Sequence, residues 1–303
     1  MGMHFDADER YRRLFDELGS VKRWYQTRID VPFAAVVAAV DDVDGADVVA
    51  RREALAGVIG GNDELSSITY TLAAVSAARG VELTSLIAAA DTATELLRTA
   101  TRSSRIRRIA GAILAADDPA GCEAKAGRAV RLHQGWNQRH RIRTNASDLL
   151  LAAVSEVSGA DRSTALDRAS VALDQLGAGG YRGEWEVARI LALDDPTTAV
   201  GRYLGTAPDM SRRRRKPVAD RRAALALACL ADHPLDELRD LLRDRVRAAA
   251  WGMHRPDSQT ALMLGALLTL GASVPPGHRL RDAFHGFALR SHYGAALAQA
   301  PSG

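Results

Sequence analysis

The stretch Ile190-Leu191-Ala192-Leu193-Asp194-Asp195-Pro196 decides the fold, because close copies of it recur along the chain. Ile113-Leu114-Ala115-Ala116-Asp117-Asp118-Pro119 precedes it, and Cys229-Leu230-Ala231-Asp232-His233-Pro234 follows it. The prolines that end the three copies are 77 and 38 residues apart, so the first interval is close to twice the second. This spacing predicts a repeated unit of about 38 residues, and self-similarity at such a period is typical of repeat proteins.

Weaker copies extend the repeat toward both ends of the chain. Asp41-Asp42 ends an apolar run near the N-terminus, and similar runs end at Gly80, Gly159 and Gly271. Unit ends then fall near positions 43, 80, 119, 159, 196, 234 and 272. The glycines are predicted to end helices in the left-handed conformation, whereas the prolines stop a helix from continuing.

Each unit has room for two helices with two turns. Apolar residues make up 47% of the chain but aromatic residues only 5%, which favours closely packed helices over strands. Segments such as 84–99 and 235–249 have one apolar face and should lie outside, whereas 149–154 and 223–231 are apolar all round and should lie inside. The sequence therefore predicts an all-α fold of about seven antiparallel helical hairpins of about 38 residues, stacked as a curved, right-handed α-solenoid. An open stack and a closed toroid both remain possible.

We expect one domain over residues 1–303. A charged N-terminal stretch within 1–43 would cap the array, 44–272 would carry the repeats, and 273–303 would cap the other end. The last segment departs from the repeat because 278–299 is rich in glycine, histidine and aromatic residues.

Cysteine content and hydropathy predict the compartment. Cys122 and Cys229 lie in alanine-rich helical segments, where buried free thiols are expected, and no uncharged apolar stretch reaches about 18 residues. We therefore expect a cytoplasmic protein without a membrane span. The net charge of +3 and the pI near 9.1 are compatible with anionic partners and do not require them.

The pattern from Leu176 to Trp185, Leu-Gly-Ala-Gly-Gly-Tyr-Arg-Gly-Glu-Trp, runs into Ala188-Arg189-Ile190-Leu191-Ala192-Leu193. This pattern resembles a bacterial family of all-helical proteins whose function is not known, and the likeness covers most of the chain. The resemblance implies a helical fold and no particular chemistry.

Basic residues, several preceded by an aromatic one, recur in the loop between the two helices of each unit. Corresponding loops of a stacked array lie on one edge, and arginine with aromatic faces can hold carboxylates, phosphates and unstacked bases. Alternatively, the aromatic residues pack between units and the arginines keep the edge soluble. The candidate binding residues are Arg28, Trp136, Arg139, Arg141, Arg143, Tyr181, Arg182, Trp251 and Arg255.

A binding function without catalysis follows from these features. We expect a helical-repeat binding or scaffold protein whose basic edge receives an acidic protein segment or a small anionic ligand. The run Ser211 to Pro217 is strongly basic, but no nucleic-acid-binding motif accompanies it, so sequence-specific nucleic-acid recognition is not expected.

An all-helical enzyme acting on a phosphorylated or isoprenoid-like substrate is the alternative. Asp41, Asp42 and Asp63, with Arg28, would then surround a cavity and could hold Mg²⁺ through carboxylate oxygens. The aspartate pairs are more simply turn residues that cap the next helix, because they recur with the repeat. No phosphate-binding glycine loop, nucleophile motif or zinc-protease motif occurs, so we expect no catalytic residue, metal ligand or cofactor.

Overall fold

The computed structural model describes residues 3–20, 30–61, 63–140, 147–211, 219–250 and 258–298. Within these ranges the regular structure is entirely helical, so the predicted all-α class is confirmed. Two short 3-10 helices, Glu64–Ile68 and Leu97–Thr99, accompany fifteen α-helices in the described residues. The α-helices are α1 (Met3–Ser20), α2 (Asp30–Asp41), α3 (Gly45–Val58), α4 (Thr69–Arg79), α5 (Leu83–Leu96), α6 (Ser104–Asp117), α7 (Cys122–His140), α8 (Asp148–Val157), α9 (Arg162–Ala178), α10 (Trp185–Leu191), α11 (Pro196–Ser211), α12 (Ala219–Ala228), α13 (Leu235–Ala249), α14 (Ser258–Ser273) and α15 (Arg279–Ala298).

The first fourteen helices make two cycles of contacts. The even-numbered helices touch one another in order from α2 to α14, and α14 touches α2 again. The odd-numbered helices do the same from α1 to α13, and α13 touches α1. We call these the inner and outer cycles, because each odd-numbered helix packs against the outside of the even-numbered helix that follows it.

Burial separates the two cycles. All residues of α8 and the first ten of α2 are buried, as expected for segments that are apolar all round. In α9, by contrast, the buried residues Ala165, Leu166, Ala169, Ala172 and Leu176 form a single face. The hydrophobic core therefore lies among the even-numbered helices and between them and the outer cycle.

Glycine has two different uses here. Gly80 and Gly159 have φ values of 64° and 69° and end their helices as predicted. The same prediction for Gly271 is wrong, because this residue lies within α14. A Cβ atom there would come within 2.8 Å of the Val40 side chain, so Gly271 allows α14 to approach α2 closely.

The N-terminal helix α1 closes the outer cycle against α13 and also touches α14. Tyr11 of α1 donates a hydrogen bond to the carbonyl oxygen of Ala249 over 3.4 Å. Asp8 forms an ion pair with Arg245, whose side chain is fully buried. These contacts join parts of the chain that are more than 200 residues apart.

The inner helices run parallel to one another. Asp30, at the start of α2, accepts hydrogen bonds from the backbone amides of Tyr70 and Thr71, at the start of α4. At the other ends of these helices, Arg79 pairs with Asp117 at the end of α6. We call the side where the inner helices begin the N-terminal edge and the side where they end the C-terminal edge.

The helix α15 lies inside the inner cycle. It touches α2, α4, α6, α8 and α14, and residues 280–291 are buried except for the half-buried Asp282. Arg279 reaches Asp194 at the C-terminal edge, and Arg290 pairs with Glu186 in the first turn of α10. The C-terminal segment, expected to cap the last unit, therefore runs through the centre from the C-terminal edge toward the N-terminal edge.

Among the described residues, no single helix has both the length and the apolar character needed to cross a membrane. Two consecutive segments, Glu64–Arg79 and Leu83–Thr99, are together long and apolar enough for a membrane span by length and composition alone. The chain bends by 113° between them.

Candidate functional site

Trp136, one of the predicted binding residues, lies inside the protein near the N-terminal edge. Its side chain is 1% exposed, and the guanidinium carbon of Arg189 lies 4.5 Å from the centroid of its ring. Arg189 is itself paired with Asp148, at the start of α8, over 2.5 Å. Trp136 thus links α7 to the inner helices α8 and α10, which is the packing role that the sequence left as the alternative.

Tyr181 and Arg182 are neighbours in sequence but have different surroundings. The ring of Tyr181 packs edge-on against Tyr203, with 5.7 Å between centroids. Arg182 is exposed and forms no ion pair with a described residue. Of these two, Arg182 is the side chain that a partner could reach directly.

Arg139 is exposed near the end of α7. Its guanidinium lies 2.6 Å from the carboxylate of Asp167, which is also exposed. A solvent-exposed ion pair of this kind is worth little, so a ligand carboxylate could replace Asp167 at small cost. The remaining candidates, Arg28, Arg141, Arg143, Trp251 and Arg255, lie outside the described residues, as does the basic run at 212–216.

Further exposed cations occur on the N-terminal edge. Arg102, between α5 and α6, is exposed without an ion pair to a described residue, and Arg221 is exposed in the first turn of α12. Two acidic groups of this edge are paired within the protein: Asp63 with Arg108 over 2.9 Å, and Glu184 with Arg222. Arg102 and Arg182 remain outward-facing charges of this edge.

A buried carboxylate joins the first two inner helices at the same edge. Asp30 is 1% exposed and accepts hydrogen bonds from Tyr70 N at 2.7 Å, Thr71 N at 2.9 Å and Thr71 Oγ1 at 2.6 Å. Burial raises the pKa of Asp30 to about 6, against the opposing effect of these hydrogen bonds and of Arg52. Sequence reasoning missed this residue, although an aspartate directly before an apolar helix is a recognisable signal.

At the C-terminal edge, the two aspartates of the repeated motif have separate roles. The second one bonds backbone amides that follow it: Asp195 caps α11 by accepting from Thr198 N at 2.9 Å, and Asp118 accepts from Gly121 N, in the turn before α7, at 3.0 Å. The first one binds side chains of other elements: Asp117 binds Arg79 of α4 and Lys125 of α7, and Asp194 binds Arg279 of α15. The predicted capping role thus accounts for Asp195, whereas Asp118 orders the turn that leads into α7.

Asp41 and Asp42 follow this division only in part, because Asp44 and not Asp42 caps the next outer helix, α3. Asp41 lies 2.8 Å from both Arg281 and His285 of α15. Burial alone would raise the pKa of Asp41, but the hydrogen bonds and charges of His285 and Arg281 hold it below the ordinary value. Asp42 has a φ of 61° and pairs with Arg10 of α1.

The carboxylates of the enzyme alternative do not come together. Asp41 and Asp42 lie at the C-terminal edge, whereas Asp63 lies at the N-terminal edge and is bound to Arg108. No group of three or more histidine, cysteine or acidic side chains is arranged to hold a metal ion in the described residues. Arg28, the fourth member, is outside the described residues.

A small cavity lies beside α15 near the C-terminal edge. Its polar lining consists of Arg79, Asp117, Asp282 and His285, and apolar groups of α4, α6 and α8 form the remaining wall. The cavity itself is only about 10 Å³, and the larger space of about 200 Å³ around it includes open solvent. Three of these four polar side chains pair with one another, and His285 is bound to Asp41 through Nε2.

The cysteines offer no reactive group in this structure. Cys122 and Cys229 are both buried and unpaired, as expected. Burial raises the pKa of each thiol to about 12, which keeps it protonated and a poor nucleophile.

Comparison of the chain with protein-family models, with curated proteins and with solved structures finds no match, so its function has to be argued from its own residues.

Proposed function

We propose that this chain is a binding protein without catalytic activity, and that its N-terminal edge receives an acidic segment of another protein. The scaffold in this proposal is an array of seven helical hairpins, each of about 38 residues, closed into a ring. The buried free thiols are compatible with a reducing compartment, so the proposal includes the cytoplasm predicted from the sequence.

The observation that carries the proposal is the opposite charge of the two edges. Exposed arginines lie at the N-terminal edge, including Arg102, Arg182 and Arg221. The turns of the C-terminal edge carry exposed acidic residues: Asp42, Asp44, Glu82, Asp161, Asp195 and Asp232. An acidic chain is therefore attracted to one edge and repelled by the other.

The connecting segments outside the described residues add to this contrast at the level of sequence. In the sequence, the segments 21–29, 141–146, 212–218 and 251–257 each follow an outer helix and precede an inner one, and all four contain basic residues. The predicted candidates Arg28, Arg141, Arg143 and Arg255 belong to them. Each exposed ion pair contributes only about 0.2–1 kcal/mol, so useful affinity requires several of these arginines together and a low salt concentration.

The position of α15 favours this proposal over the enzyme alternative. A substrate of isoprenoid size needs an enclosed apolar space, and the helices of this fold would offer it in the centre of the inner cycle. Phe284, Phe287 and Leu289 of α15 fill that centre with fully buried side chains.

The direct test measures binding of a fluorescently labelled glutamate-rich peptide by anisotropy. We expect saturable binding that weakens as salt rises from 50 to 300 mM. Arg102→Glu combined with Arg182→Glu should weaken it about tenfold, which corresponds to about 1.4 kcal/mol, because each reversal replaces an attraction by a repulsion. Adding Arg141→Glu and Arg143→Glu should weaken binding further.

Arg13→Glu combined with Arg243→Glu is the matched control, because both residues are well exposed on outer helices and the charge change is the same. Equal loss of affinity in both double variants would mean that the net charge of the protein controls binding. That result would refute the proposal that the peptide binds at the N-terminal edge. Displacement of the peptide by millimolar pyrophosphate would identify a small anion as the better ligand, and no binding at 50 mM salt would refute the proposal.

A further inference from the structure

The helix α15 differs from all other described helices in what surrounds it. It contacts inner helices and the first 3-10 helix, and it makes no substantial contact with the outer cycle. A five-residue connection, Val274 to His278, joins it to α14. Apart from this connection, α15 packs among the inner helices in the way that a separate helical peptide packs into a binding groove.

Charged side chains hold the first two turns of α15 to the ends of four inner helices. Arg279 binds Asp194 after α10, and Arg281 binds Asp41 at the end of α2. Asp282 binds Arg79 at the end of α4, which in turn binds Asp117 at the end of α6. We call Arg279, Arg281, Asp282 and His285 the latch.

Arg281 is the most enclosed member of the latch. It is 7% exposed, and besides Asp41 it donates to the carbonyl oxygens of Val40, Gly271 and Val274. One guanidinium group therefore supplies hydrogen-bond donors to backbone carbonyl oxygens at the ends of α2 and α14. Because His285 Nε2 lies 2.8 Å from the other carboxylate oxygen of Asp41, both oxygens of that carboxylate are bound by α15.

The second ring nitrogen of His285 and two polar groups farther along α15 are less well satisfied. His285 Nδ1, Arg290 Nε and Ser291 Oγ are buried without a hydrogen-bond partner. His285 and Gly286 also border the small cavity against α4, α6 and α8. A buried polar atom without a partner and an unfilled space both weaken the docking of a helix.

We propose that the inner cycle is a helix-binding surface and that α15 is its releasable occupant. In this proposal α15 opens as a unit while the two cycles stay folded, and the latch sets how often it opens. Local opening in contiguous units of this kind is a general property of folded proteins. The inference does not depend on the proposed function, because it concerns the C-terminal edge and the centre of the ring.

Hydrogen–deuterium exchange of the full chain, read by mass spectrometry, tests the proposal. Peptides within 279–291 report on α15, and peptides within 261–273 report on α14, which is equally buried. We expect the α15 amides to exchange about tenfold faster than those of α14 in the unmodified protein. Equal protection of the two helices would overturn the proposal, because α15 would then open only when the whole protein unfolds.

Two variants locate the control of opening at the latch. Asp41→Asn removes the charge that Arg281 and His285 share, and Asp282→Asn is a milder change at a half-buried position. Both should speed exchange of α15, about tenfold for Asp41→Asn and less for Asp282→Asn, and leave α14 unchanged.

Asp232→Asn is the matched control, since Asp232 lies on the same edge and pairs with Arg202 of α11. It should leave α15 exchange at the wild-type rate. If the latch variants speed α14 and α15 by the same factor, or if Asp232→Asn acts like them, the latch does not control a separate opening.

Discussion

The two edges of the ring are built from the same helices but differ in their connections. At the C-terminal edge the turns are short, and their acidic residues cap helices or bind partners within the protein. At the N-terminal edge Asp63 and Glu184 are paired with arginines of the protein, and Arg102 and Arg182 face solvent. The comparison teaches that repetition marks the structural edge of this molecule, whereas variable connections mark the edge that we propose for binding.

The largest effect is expected from the aromatic residue buried below the N-terminal edge. Trp136→Ala removes a side chain that is 1% exposed and stacked on Arg189, so it should lower the free energy of unfolding by about 3–5 kcal/mol. Chemical denaturation followed by circular dichroism measures this change. A loss below about 1 kcal/mol would mean that Trp136 is not a packing residue and would return it to the candidate ligand-binding surface.

Asp30, at the N-terminal edge, should make the free energy of unfolding of the protein depend on pH. Its folded pKa of about 6 lies above the ordinary value of 3.8, so the stabilisation present below pH 3.8 is lost as pH rises through 6. A shift of this size corresponds to about 3 kcal/mol. The unfolding free energy of the wild type should therefore fall relative to that of Asp30→Asn between pH 4 and 7.5. Parallel curves for the two proteins would contradict the raised pKa, and Asp240→Asn, an exposed change on α13, should follow the wild type.

Substitutions of Asp117 and Asp118 test whether the two aspartates of one motif copy have separate roles at the C-terminal edge. Asp117→Ala removes the partner of both Arg79 and Lys125 at a mostly buried position and should cost about 3 kcal/mol. Asp118→Ala removes the hydrogen bond accepted from Gly121 N and should cost about 1 kcal/mol. Thermal and chemical denaturation of the two variants measure the difference. Equal costs would mean that the motif acts as one unit.

The smallest effect on stability is expected at the exposed arginines of the N-terminal edge. Arg182→Glu should change the free energy of unfolding by less than about 0.5 kcal/mol, because the side chain has no ion-pair partner among the described residues. The same substitution is expected to weaken peptide binding. A large loss of stability would show that Arg182 belongs to the fold and would blur the contrast between the edges.

Local patterns made the helices predictable, but not the partners of their side chains. The period of 38 residues, the apolar runs and the caps at Gly80 and Gly159 depend on residues close in sequence. The central position of α15 depends on contacts such as Arg281 with Asp41, 240 residues apart, which no spacing in one sequence reveals.

The candidate site was predictable only in part, for a related reason. Arginines and aromatic residues recur together in the loops, so their common edge follows from the repeat. Whether an aromatic ring faces outward depends on its neighbours: Trp136 lies against Arg189, and Tyr181 against Tyr203. Glu184, two residues after Arg182, likewise pairs with a residue distant in sequence, Arg222 of α12.

Closure of the ring by α1 has a consequence for synthesis on the ribosome. Asp8 and Tyr11 meet Arg245 and Ala249, which are synthesised more than 230 residues later. At bacterial or eukaryotic elongation rates of about 5–20 residues per second, that delay is roughly 12–50 s. During this time the apolar faces of the helices already made have neither α13 and α14 nor α15 to cover them. Apolar surface that stays exposed in this way makes a nascent chain prone to aggregate.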